Sequence, residues 1–318
     1  MACRALGQIW RLGGCYKGMS GTAVRQVYLG CVLPIMEYGL ETWHWKKKVA
    51  HITKCQSIQN QALRRVLGAV KTTPIDVLHV EAGVLPIEER FRLTTERKAL
   101  RIEYGISPTN PIRNDRKCTG KSSPLDCIKE LLRETFPDSP PAVIRNRKPP
   151  WEKENTEEPG DTLRQELREK RSTLLEKAEE RWQKKYDGSV KGNRFREIAP
   201  DAKCTIKLSK LPAFLRNSPR LILSKMVQFR SAHALVGAWF RRMDIQSAEH
   251  ACACGELESI PHILCHCVLR EDIRYILRDS CACLEENVLL GTFKGLVAVA
   301  KFIVEDSKRH SQASHSGA

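Results

Sequence analysis

Apolar residues at Val24, Val27, Tyr28 and Cys31 recur at i, i+3, i+4 and i+7, which predicts a helix over 22–31 that Pro34 kinks or ends. A second helix carries Ile52, Cys55, Ile58, Ala62 and Val66 on one face and Lys54, Arg64 and Arg65 elsewhere, with Gly68 as its stop. Thr73 and Pro74 read as the N-cap and first-turn residues of a short third helix. Pro86 opens a fourth that runs through Phe91, Arg97 and Arg101.

The periodicity fails between about 105 and 160, where Pro108, Pro111, Pro137, Pro140, Pro149 and Pro150 interrupt regular structure. One short helix near 125–135 is expected inside this linker. Residues 161–185 return to strong helix formers with Glu and Lys or Arg three or four apart, a helix whose charged surface is either solvated or a binding face. A further helix is expected from Pro219 through Leu221, Met226, Leu235 and Trp239, and a terminal one over about 288–304. The expected fold class is therefore mainly α, in four consecutive segments: a helical domain over 1–104, a Pro-rich linker over 105–160, a charged helix and turn over 161–200, and a C-terminal helical domain over 201–318.

Composition narrows the partners. The 318 residues exceed the usual size of one compact domain, so two folded units joined by a linker are expected. A net charge of +16 attracts polyanions, with nucleic acid as the leading partner and an anionic membrane surface as the alternative. The longest apolar run, residues 295–304, is interrupted by Lys301 and falls short of the ~20 residues that cross a bilayer. The N-terminus lacks the pattern of a secretory signal, so an intracellular protein, nuclear or cytoplasmic, is expected. Lys46–Lys48 is too short a basic run to direct it to the nucleus.

In a reducing compartment, 13 cysteines read as buried thiols or metal ligands, and six of them crowd between Cys252 and Cys283. Cys252, Cys254, His262 and Cys267 supply three sulfurs and one imidazole, a set that suits one structural, tetrahedral zinc ion in a knuckle over 252–267. Gly255 permits the sharp turn after the second ligand, and Ser259 with Pro261 starts the helix that presents His262. The fourth ligand stays open. On a regular helix Cys265 and His266 share a face with His262, whereas Cys267 lies five residues on and needs the helix to loosen. His250 is a poorer candidate, and ordinary buried thiols in a helical hairpin are the alternative for the whole cluster. Cys281 and Cys283 repeat the spacing without a following histidine before His310 and read as plain thiols.

Three segments together resemble the C-terminal third of fungal-type non-LTR (LINE-like) retrotransposon polyproteins. The first holds Tyr28, Pro34, Tyr38, Gly39 and Trp43; the second runs from Gln59 to Pro86 through a Thr-Thr-Pro and a Glu-Ala-Gly turn; the third joins Arg230 and His233 to the cysteine cluster. The resemblance covers somewhat under half the chain, at its two ends. In that family the last ligand corresponds to Cys267 and is followed by a proline, where this chain has Val268.

The resemblance implies a helical reverse-transcriptase thumb, a charged helical linker and a small zinc-stapled C-terminal domain that bind RNA or DNA through the backbone. Candidate phosphate contacts are Lys46, Lys47, Lys48, Arg64, Arg65, Lys71, Arg97, Lys98, Arg101 and Arg230. The metal-binding aspartates of the family's palm would lie before Met1, and no adjacent Asp pair occurs here, so no polymerase activity is expected of this chain alone. Tyr186–Ser189 resembles the Asp-Gly-Ser start of RNase H domains, but the charged helical residues before it favour a turn. His233 reads as a packed histidine or a phosphate contact, and Trp43 and Trp45 as core residues or stacking platforms. Two other functions stay open: a zinc-stapled protein-interaction module, and the product of a decayed element. The oligomeric state is not legible.

Overall fold

The computed structural model describes residues 1–12, 14, 17–43, 49–105, 124–137, 159–206, 210–246 and 249–315. Its helices are α1 (Ala2–Leu12), α2 (Gly21–Val27), α3 (Leu33–Glu37), α4 (Leu40–Trp43), α5 (Val49–Leu67), α6 (Ile75–Ala82), α7 (Ile87–Gly105) and α8 (Pro124–Thr135), followed by α9 (Pro159–Asp187) and α10 (Asn193–Ile198). Then come α11 (Lys210–Asn217), α12 (Arg220–Arg230), α13 (Gly237–Arg242), α14 (Tyr275–Arg278), α15 (Glu286–Gly291) and α16 (Phe293–His315). The fold is mainly α. Among the described residues there is no strand, and an isolated antiparallel bridge joins Ala251 and Leu257.

Three expectations are corrected by this chain path. Pro34 does not end its helix, because a π-turn over Tyr28–Val32 carries α2 into α3. A proline ring clashes with the carbonyl four residues back, and the wider i→i+5 turn just before it relieves that clash. The helix after Pro219 stops at Arg230, where Ala232 takes φ +56, so Leu235 lies in a loop and Trp239 in α13. The terminal helix is two, α15 and α16, parted at Thr292, and α16 runs on to His315. The long charged α9 also packs, with Leu174, Ala178 and Trp182 at i, i+4 and i+8 forming a buried stripe.

The chain divides into two compact units that interleave along the sequence. The first draws on residues 1–33, 57–84 and 185–318. Within it α16 packs against α12, α14 and α15, and α11 against α2, α6 and α12. Leu223, Met226, Val227, Leu296 and Val299 are fully buried, each contributing about 1.5–3 kcal/mol by removal from water.

Arginines of this unit close helix ends. The carbonyls that finish α6 are orphans of the helix ladder. Arg216 Nη1 donates to Glu81 O at 3.0 Å, and Arg25 donates to Ala82 O at 2.8 Å and Gly83 O at 2.7 Å. The Glu81 carboxylate, pointing inward, accepts from Arg230 Nε at 2.7 Å. The end of α5 is treated alike: Arg220 donates to Arg65 O and Val66 O, and Ser224 Oγ donates to Gly68 O at 2.7 Å. Gly68, at φ +66, has no room for a side chain, because a Cβ there would lie 2.8 Å from the Ser224 Cβ.

The second unit draws on residues 34–56 and 85–184. Here α4, α7 and α8 pack together, with Trp43 edge-on to Phe91 at 5.5 Å. On one side of α7 the charges are matched: Arg181 donates to Glu89, and Arg92 donates to Glu96 and Glu134. Lys177 Nζ closes the end of α8 through Thr135 O. No helix among the described residues is long and apolar enough to cross a membrane.

Candidate metal centre

The cysteine cluster is built by a tight loop and a distorted helix turn. Cys252 N donates to Glu256 O at 2.7 Å and Gly255 N to Cys252 O at 2.8 Å, with Gly255 at φ +93, so the loop folds both Cys252 and Cys254 toward the following segment. That loop is seated against α13, where Ala238 N donates to Glu258 O at 2.7 Å. Ser259 Oγ accepts from His262 N at 3.2 Å and starts the next turn, as its spacing from Pro261 predicts.

That turn is a π-helix over His262–His266, closed by Cys267 N donating to His262 O at 2.8 Å. In a regular α-helix residues five apart point about 140° away from each other. The wider turn removes that divergence and brings His262 and Cys267 to one side. Val268 follows with no proline to stop the helix, and the chain leaves instead through the extended Cys267 (ψ +118) into a 3-10 helix over Val268–Ile273.

The ligand atoms of Cys252, Cys254, His262 and Cys267 all lie within 4.8 Å of one another. Cys252 Sγ and Cys267 Sγ are 3.7 Å apart, and Cys254 Sγ and His262 Nε2 are 3.3 Å apart. A tetrahedral ion with metal–sulfur bonds of about 2.3 Å and a metal–nitrogen bond of about 2.0 Å needs edges of about 3.8 and 3.5 Å. The four residues therefore fit a tetrahedral metal ion and could hold one. The alternates point elsewhere: Cys265 Sγ donates to Leu284 O at 3.2 Å, His266 is exposed, and His250 Nε2 lies 3.0 Å from Ile245 O. Cys281 and Cys283 stay outside the cluster.

One residue of the site was not foreseen. Arg270, buried on the 3-10 helix, donates from Nη1 to both Cys252 Sγ (3.4 Å) and Cys267 Sγ (3.3 Å) and from Nε to Asp306 of α16 at 2.8 Å. Burial opposes the Arg270 charge, but Asp306 and the two sulfurs outweigh it and hold the guanidinium above its ordinary value. Burial likewise pushes the Cys252 thiol up, while bonds from Cys254 N–H, His262, Arg270 and Cys267 outweigh it and draw it down to about 6. The bond from Glu256 favours the Cys254 thiolate, but desolvation and the neighbouring Cys252 and Cys267 sulfurs prevail and raise it. The surroundings thus favour a thiolate at Cys252 and disfavour one at Cys254. The spacing of Arg270 from Cys267 was visible in the sequence; its tie to Asp306, 36 positions away, was not.

The basic candidates divide. Lys46, Lys47, Lys48 and Trp45 lie outside the described residues. Arg64, Arg65 and Lys71 fall in the first unit, with Lys71 exposed, and Arg97, Lys98 and Arg101 in the second. Arg230, by contrast, is buried, and its guanidinium donates inward to Glu81 and to Leu290 O rather than standing at the surface. His233 is placed by a 3.0 Å hydrogen bond to Thr72 Oγ1. Asp187 ends α9, and Ser189 turns to donate to Asp76 at 2.6 Å, so the Asp-Gly-Ser stretch is a helix exit rather than a strand.

No family model matches the sequence, and no solved structure matches it. The chain is 21% identical over 259 residues, 81% of its length, to a retrovirus-related Pol polyprotein from type-1 retrotransposable element R1 4 of Nasonia vitripennis. It spans about half the length of that curated relative, 51%. This similarity supports a protein related to non-LTR retrotransposons.

Proposed function

We propose that this chain is a nucleic-acid-binding, non-polymerising portion of a retrotransposon Pol polyprotein, in which a thumb-like basic region grips duplex backbone and a zinc knuckle engages single-stranded RNA or DNA. The observation that carries the reading is the tetrad of Cys252, Cys254, His262 and Cys267 at tetrahedral spacing, in a chain similar to a Pol polyprotein. Three thiolates and an imidazole select zinc among the common divalent ions, and a bound zinc would act as a structural staple for a loop too small to hold a core of its own. Arg270 offsets part of the thiolate charge and, through Asp306, ties the knuckle to α16. A net charge of +16 supplies the attraction to phosphates.

The test is fluorescence anisotropy with labelled RNA and DNA oligonucleotides over a salt series, alongside elemental analysis. The expected result is about one zinc per chain and an affinity that falls by orders of magnitude between about 50 and 200 mM salt. Weak, salt-independent binding would refute the proposal.

A second reading, a protein-interaction module, is favoured by the exposure of Val268 (72%), Leu269 (54%) and Tyr275 (60%) just beyond the knuckle. Protein partners that survive nuclease treatment and are lost in a Leu269→Ser variant would support it instead.

A further inference from the structure

On α7, Arg90, Thr94, Arg97, Lys98 and Arg101 stand at i, i+4, i+7, i+8 and i+11 and therefore share one side of the helix. With Glu37 of α3 and Arg171 of α9 they line a depression of about 380 Å³ within the second unit. Glu37, the one carboxylate among these residues, is already engaged. Its Oε1 accepts from Arg90 Nε at 2.6 Å and from Thr94 Oγ1 at 3.0 Å, and its Oε2 from Arg90 Nη2 at 3.4 Å. Arg97, Lys98, Arg101 and Arg171 bring four more cations to the same wall with no second carboxylate in the lining.

Arg97 shows the strain of this crowding. Its Nε is buried and finds no hydrogen-bond partner among the described residues. Desolvation first, then Arg90 and Arg171, disfavour its charge, and Glu37 opposes them only in part. Among the described residues, the buried guanidinium groups of Arg216, Arg220 and Arg230 are met by helix-end carbonyls or carboxylates, whereas Arg64 Nε, like Arg97 Nε, is buried without a hydrogen-bond partner. The opposite side of α7 is matched as well, through Glu89 and Glu96. Four arginines, Arg90, Arg97, Arg101 and Arg171, gathered around one carboxylate in a half-desolvated depression are stabilised further by an anion from outside.

The row has a length and a chemistry. Arg101 lies eleven positions, or about 16 Å of helix, beyond Arg90, which suits several consecutive charges better than a single ion. No aromatic side chain lines the depression, so nothing there can stack on a base.

We propose that the depression between α7 and Arg171 is a binding site for the sugar-phosphate backbone of a single nucleic-acid strand, read without regard to base identity. The inference rests on the nucleic-acid-binding reading above and assigns it a place outside the knuckle. Arg101 and Arg171 hold the rim, Arg97 donates from the floor, and Glu37 orients Arg90 beside them.

The experiment measures anisotropy of labelled twelve-nucleotide strands, one of ordinary sequence and one wholly abasic, against the full chain over a salt series. The Arg101→Gln/Arg171→Gln variant is compared with wild type; both side chains are exposed, so the fold is retained. A Cys252→Ser variant removes the knuckle's contribution separately. Wild type is expected to bind both strands. In the Arg101→Gln/Arg171→Gln variant the slope of log affinity against log salt is expected to become shallower by about 1.4, or about 0.7 for each phosphate contact removed. Arg97→Gln, with melting checked by circular dichroism, is expected to weaken binding in the same direction. An unchanged slope in a wild-type protein that binds RNA or DNA overturns the site while leaving the wider function standing. A wild type that binds neither strand overturns both. Loss of the abasic strand alone shows that bases are read, which also overturns the site as described.

Discussion

Replacing Arg230 with methionine separates a structural from a nucleic-acid-binding arginine. The Arg230 and Glu81 side chains are 3% and 2% exposed and meet at 2.7 Å, and Arg230 also donates to Leu290 O. Methionine fills much of the same volume but leaves the Glu81 carboxylate buried without its cation. Breaking a buried pair by removing one partner costs about 3–5 kcal/mol. Set against a typical stability of about 5–15 kcal/mol, that is about a fifth or more of the whole. With a urea dependence of about 2 kcal/mol per molar, the unfolding midpoint followed by circular dichroism should fall by about 2 M. Adding Glu81→Gln should recover more than half of the loss, because the stranded charge is gone. The salt dependence of RNA binding should not change in the single variant under conditions where it stays folded. A midpoint that barely moves, together with a shallower salt dependence, would refute the internal role and make Arg230 a phosphate contact.

Three further outcomes follow from the geometry. Cys267→Ser should lose the bound metal while Cys265→Ser and His266→Ala retain it, measured by elemental analysis of purified protein; retention in Cys267→Ser would reopen the choice of fourth ligand. Arg270→Leu should release metal to a chelator about 10- to 100-fold faster, as expected when a partner of the ligands is removed, and a rate equal to wild type would deny the N–H···S bonds any role. His79 is held neutral by burial, which outweighs the opposing Val84 carbonyl and Asp76 and pushes it down to about 4. Because this lies below the free value of 6.5, the unfolded chain binds more protons between those limits. Stability should therefore fall as pH drops from 6.5 to about 4, by up to about 3 kcal/mol from this residue, and level off below. His79→Gln should flatten that part of the profile, and an unchanged profile would show that other groups set it.

Features carried by local periodicity were legible in the sequence. Gly68 ends α5, Pro86 precedes α7, and the helix at 124–135 stands where the linker was expected to hold one. The four residues of the tetrad could be named, but that Cys267 rather than Cys265 or His266 joins the other three became visible only with the π-turn. Long-range polar pairing was invisible. Nothing near Arg230 in the chain announces Glu81, 149 positions earlier, so a basic residue in a matched motif reads as a surface charge until its burial is known. The same blindness hid the depression on α7, whose last cation comes from a helix 70 positions further along than Arg101 (171 against 101). The break at Ala232 was missed because the apolar positions on either side keep a helical spacing while the backbone between them does not.

The closure of α5 and α6 by α11 and α12 has a consequence for how the chain is made. The carbonyls of Glu81 and Gly68 wait for donors at Arg216 and Ser224, 135 and 156 residues later. At a synthesis rate of roughly 5–20 residues per second, that delay is on the order of 10–30 s, during which the ends of these helices are unsatisfied and their apolar faces uncovered. A ribosome that stops within the proline-rich middle would release a product whose early helices never receive those donors. Such fragments should be found with chaperones or as aggregates, and the yield of soluble chain should depend on how quickly translation passes the stretch between α6 and α11.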